Sequence, residues 1–143
     1  MKTLKILLIS LFTFLMFYSF ANSEDYSSSK PLHCSVNRVN ECVASGGCES
    51  IDPFVANIPY FLTVDLASKT ISSSSTVGEG RSTPIERIET IDELITLSGA
   101  EPKSKGDKDK FGWIMTISVE TGQMIMSAIT NSSALVIFGS CID

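Results

Sequence analysis

Four cysteines, Cys34, Cys42, Cys48 and Cys141, constrain this chain more than any other feature. An even set of thiols reads as a disulfide framework in an oxidising compartment, and as metal or redox ligands in a reducing one. The compartment therefore comes first. The opening stretch MKTLKILLISLFTFLMFYSFANSEDY sets Lys2 and Lys5 before an uncharged apolar run from Ile6 to Phe20, then small residues, then Glu24 and Asp25. That is the layout of a secretory signal peptide. The run is shorter than the roughly 20 residues a helix needs to cross a bilayer core. Small side chains at Ala21 and Ser23 suit signal peptidase, so residues 1–23 are expected to be removed, leaving a periplasmic or secreted protein with no stable membrane span.

Export makes disulfides the expectation. Zinc sites take cysteine pairs two to four residues apart, or such a pair with histidines; here the spacings are wider and the one histidine, His33, abuts Cys34. No C-x-x-C redox pair is present either. In ECVASGGCES, Gly46 and Gly47 can turn the chain back sharply between Cys42 and Cys48. Pairing those two leaves Cys34 for Cys141; the alternative of Cys34 with Cys42 and Cys48 with Cys141 stays open.

The net charge of −5 becomes −7 once the two signal lysines are gone. That sign argues against nucleic acid or an anionic membrane as partner, both of which need a basic footprint. About 120 mature residues make one domain with a real core. Residues 24–30 are a polar, serine-rich lead, and a single β-rich domain is expected over 31–143.

Within it, Leu32, Cys34 and Val36 alternate as a first strand. Tyr60, Leu62, Val64 and Leu66 share one face of a second, with Ala67-Ser68 turning into a short strand around Ile71. Phe111, Trp113, Met115, Ile117 and Val119 form a wholly apolar face, and Glu120-Thr121-Gly122 turns into a return strand, Gly122 suiting the left-handed position of a bulged turn. A last strand runs from Ala134 to Gly139 and ends at Cys141. Over 84–97 two signals compete. Thr83 and Glu86 form a capping box and Ile85, Ile88, Ile91 and Leu94 recur at helical spacing, yet the segment is rich in strand-favouring Ile and Thr. Strands near 84–90 and 93–97 are expected, with one helix as the rival. Residues 98–110, SGAEPKSKGDKDK, read as a charged loop. The fold class is mainly β: an antiparallel meander forming a small barrel or sandwich, disulfide-stapled.

The cysteine cluster behind a signal peptide, the VDLASKTIS hairpin, the GWIMTIS strand with its ETGQM turn and the closing FGSC together resemble a group of small exported bacterial cysteine-containing β-rich proteins of unknown function. The resemblance covers roughly residues 32–141. In that group the hairpin after the VDL segment often carries a further cysteine pair, where this chain reads ISSSSTVGEG; joint loss of a bonded pair implies that the remaining four bond among themselves. No catalytic residues come with the resemblance.

No reaction centre stands out. His33 lacks a G-x-S-x-G partner, the acids Glu86, Glu89, Asp92 and Glu93 read as a solvated face, and GEGR at 78–81 lacks the Lys and Ser/Thr of a P-loop. No metal or cofactor is expected. Phe111, Trp113 and Met115 are either core or the lining of a ligand cavity. Ser98, Gly99, Ala100, Glu101 and Lys103 form a candidate interaction loop. The expected role is a non-enzymatic binding or interaction module of the cell envelope, its partner a protein or a small apolar ligand. Inhibition of a secreted hydrolase or lysozyme is the alternative, and an unrecognised enzyme the third.

Overall fold

The computed structural model describes residues 30–73, 80–102 and 110–143. Every regular element among them is a strand: β1 (Leu32–Val43), β2 (Cys48–Ile51), β3 (Phe61–Asp65), β4 (Thr70–Ser73), β5 (Ser82–Pro84), β6 (Arg87–Ile91), β7 (Leu94–Pro102), β8 (Lys110–Ser118), β9 (Gln123–Ile129) and β10 (Ser133–Ile142). All pairings are antiparallel. The order across the sheet is β5-β4-β3-β1-β10-β9-β8-β7-β6, with β2 added to β1. The sheet curls into a half-barrel, and its two edge strands, β5 and β6, are consecutive in the chain. The link between them spans the gap. Ile85 donates its amide to Lys69 on the β3–β4 side, and Glu86 donates to Ser98 on β7.

Alternation builds the core. On β1, Leu32, Cys34 and Val36 point inward, and then the period breaks: Val36 faces Gly139 but Arg38 faces Phe138, so one extra residue bulges out of β1. The bulge returns Val39 to the interior, where it is wholly buried. Arg38 lies outside, its guanidinium 4.6 Å from the Phe138 ring centre. Ile95, Leu97, Trp113, Met115, Ile117, Met124 and Ile137 fill the middle of the half-barrel.

Both disulfides are Cys34–Cys141 and Cys42–Cys48, the first of the two pairings considered. Each joins residues directly opposed in a ladder, β1 with β10 and β1 with β2. Gly122 has φ +68° and its amide returns to the Ser118 carbonyl, as the bulged turn requires. Residues 84–97 are strand and hairpin, not helix: β6 and β7 meet at Asp92-Glu93, and the helical spacing is accidental, since Ile85 is buried while Ile91 and Leu94 are exposed. Tyr60 departs from its expected face; it precedes β3 and is 44 % exposed. Val119 lies past the end of β8, also exposed.

Candidate functional site at one end of the half-barrel

The expected apolar face of β8 divides in two. Trp113 and Met115 are core, while Phe111, one register step nearer the open end, lines a cavity. That cavity has a volume of about 80 Å³. Its inner wall is Leu62, Ile71, Met126, Ala128 and Ile137, contributed by β3, β4, β9 and β10, and its rim is Asn57, Ile58, Pro59, Arg81, Glu101 and Phe111. An engineered cavity of about 150 Å³ holds benzene and a water takes about 30 Å³. This one therefore suits a group of three or four carbons.

Asn57, Ser72 and Ser73 also line the cavity, and three further polar residues, Thr83, Glu101 and Arg81, bear on what it could hold. Thr83, on β5, is 8 % exposed and its hydroxyl has no hydrogen-bond partner. Glu101, near the end of β7, is half-buried, and loss of solvent pushes its carboxyl above the ordinary 4.5; the guanidinium of Arg81 pulls the other way. The backbone of Arg81 is held in place. Its amide donates to Ser73 Oγ at 3.0 Å, its carbonyl accepts from the Ser73 amide, and its guanidinium donates to the Asn57 carbonyl at 3.4 Å. A second buried donor, Trp113 Nε1, is also unpartnered. It belongs to the same seam: a Cβ on Gly99 would lie 2.6 Å from the Trp113 ring and 2.8 Å from the Pro84 carbonyl oxygen.

The expected interaction loop is corrected here. Ser98, Gly99, Ala100 and Glu101 are strand residues of β7, opposite Ile114, Trp113, Gly112 and Phe111. The absence of a side chain at Gly99 serves close packing: the Trp113 indole occupies the space that one would need. Lys103 lies outside the described residues. Thr83, the cap of the rival helix reading, is an inward strand position, and Arg81, set aside with a failed phosphate motif, is a rim residue. Their common signal was alternation across Arg81-Ser82-Thr83-Pro84-Ile85, in which Thr83 and Ile85 share the buried parity.

A second feature adjoins the rim. Residues 52–58 form one helical turn: Asp52 Oδ1 accepts from the Phe54 amide, Ala56 donates to Asp52, Asn57 to Phe54 and Ile58 to Pro53, with Asn57 at φ +57°. This is an N-cap followed by a left-handed closing residue, so the turn is locked at both ends. It presents Phe54 and Val55 to solvent at 65 % and 75 % exposure. The Tyr60 hydroxyl donates to Asp52 Oδ1 at 3.0 Å, and that bond, with some burial and the carboxylate's charge, raises the phenol above 10.0. The bond's contribution is present below the ordinary phenol value and lost as pH rises through the raised one. A spectrophotometric titration is expected to find one tyrosine ionising late, and Asp52→Asn to return it to the ordinary range; an unchanged curve would exclude the bond in solution.

His33 is exposed on the outward face of β1, its Nδ1 3.5 Å from the Thr63 hydroxyl. Glu86, Glu89, Asp92 and Glu93 are all exposed, Glu89 paired at 3.5 Å with Arg87. Among the described residues no group of three His, Cys, Asp or Glu side chains is placed to hold a metal ion. No protein-family model, curated protein or solved structure matches the chain.

Proposed function

We propose that this chain is an exported, non-enzymatic binding module of the cell envelope that takes a small, mainly apolar ligand group into the cavity behind Phe111. The observation that carries it is Thr83. Burying a hydroxyl without a partner costs about 1–3 kcal/mol, and a structure gains nothing from that cost unless something else bonds the group. Here Thr83 lines an apolar cavity that has a half-buried carboxyl at its rim, and its hydroxyl is buried without a partner. Apolar walls with a few convergent polar groups are what small-ligand sites share. The two disulfides accord with an oxidising compartment, and the signal-like start accords with export.

Thr83→Val tests the reading from both sides. Removing the orphan hydroxyl for a group of like shape is expected to raise stability in urea by about 1 kcal/mol. It is also expected to weaken whatever binds. A screen of short-chain fragments read by methyl shifts at Met126, Ala128 and Ile137 should find binders to the native chain that Thr83→Val holds less well. Absence of any binder, together with loss of stability in Thr83→Val, would remove the proposal.

The locked turn favours a second reading, docking against a protein such as a secreted hydrolase or lysozyme. An exposed apolar pair on a rigid turn has little ordering entropy left to lose on binding. Phe54→Ser with Val55→Ser should then abolish inhibition of a sensitive muramidase; a panel of such enzymes unaffected by the native protein would dismiss it.

A further inference from the structure

The rim of the cavity carries one anionic and one cationic side chain, Glu101 and Arg81, above a small apolar interior. Resting on the small-ligand reading above, we propose that the occupant is a zwitterionic aliphatic α-amino acid, its branched alkyl side chain inside and its ammonium and carboxylate groups against Glu101 and Arg81.

Charge decides between ligand heads. A simple alkylamine would satisfy Glu101 and set a second cation beside Arg81, whereas a simple carboxylate would satisfy Arg81 and set a second anion beside Glu101. A zwitterion opposes each rim charge with its own complement. The Arg81 backbone is tied to Ser73, and its exposed guanidinium reaches the Asn57 carbonyl at 3.4 Å beside the rim. Size decides between side chains. The interior of about 80 Å³ accepts the isopropyl of valine or the isobutyl of leucine; a benzyl group needs a space closer to the roughly 150 Å³ that holds benzene. Glycine brings nothing to fill it.

The test is a titration of the oxidised chain, followed by methyl shifts at Met126, Ala128 and Ile137, with L-valine, L-leucine, L-phenylalanine, glycine, isobutylamine, isovalerate and isobutanol. L-Valine or L-leucine is expected to bind at least about tenfold more tightly than isobutylamine or isovalerate, the worth of one charged hydrogen bond in a part-buried site. Phenylalanine and glycine should not compete. Glu101→Gln and Arg81→Gln should each remove most of that advantage. Should Arg81→Gln loosen the turn at Asn57, Glu101→Gln and the ligand series decide alone. Isobutanol bound as well as either amino acid would overturn the zwitterion and keep the cavity reading. No shift with any probe would overturn both.

Discussion

Replacing Cys141 with serine is expected to lower the stability of the oxidised protein by about 4 kcal/mol, and replacing Cys42 by about 2 kcal/mol. Ladder geometry does not distinguish the two bridges, since each spans directly opposed residues. Loop length does. Cys34 and Cys141 are separated by 107 residues and Cys42 and Cys48 by 6, and a longer closed loop removes more entropy from the unfolded chain. The two variants also differ in the thiol they leave. Cys34 is buried at 2 % exposure and should be unreactive in the folded Cys141→Ser protein, whereas Cys48 is exposed and should react at once in Cys42→Ser. Urea unfolding of both variants, with thiol titration before and after denaturation, checks both halves. Equal losses of stability would contradict the loop-entropy account.

Gly139→Ala is expected to cost about 3 kcal/mol, at the upper end of overpacking penalties. A Cβ at this position would run into the Ser35 carbonyl oxygen and the Met124 methyl. The methyl can swing away; the carbonyl is fixed in β1 beside the bulge that follows Val36. Relief would require the β1–β10 ladder to shift, and with it the residues around the long disulfide. Gly112→Ala supplies the control, because a Cβ there meets nothing within 4 Å. It should be neutral or stabilise by about 0.5 kcal/mol through the unfolded chain. Should Gly139→Ala unfold no more easily than Gly112→Ala, the close approach of β10 to Ser35 would be wrong.

The hairpins were legible because their signals are local. Alternation from Phe111 to Ile117 and a glycine at the turn need no knowledge of what packs above them, and β8, β9 and the turn between them lie where that pattern puts them. Of the cavity only Phe111 was legible, as one of three residues expected to be core or ligand lining, and the reason is specific. Ser98-Gly99-Ala100 has the composition of a loop, and only the indole of Trp113 on the next strand shows why a glycine belongs in a strand at 99. Thr83 carried a helix-cap signature that local chemistry supports equally well; its actual role depends on burial against β3, β4 and β9, which no short window contains. The break in β1 is similar: Val36 and Val39 are out of step by sequence and share the interior only through the bulge.

The strand order has a consequence for how the chain reaches this state. Apart from β1 with β10, each ladder joins strands that follow one another or are separated only by β2, so most of the sheet can assemble from neighbouring hairpins in short searches. The β1–β10 pairing is the exception, joining the first strand to the last. In the reduced chain that meeting is the slow search, made against the entropy of everything between. With Cys34 and Cys141 already bonded the search is abolished, and what remains is local zippering from a fixed seam. The same covalent bond that adds to equilibrium stability thus turns a non-local folding problem into a local one: refolding from urea should be markedly faster oxidised than reduced.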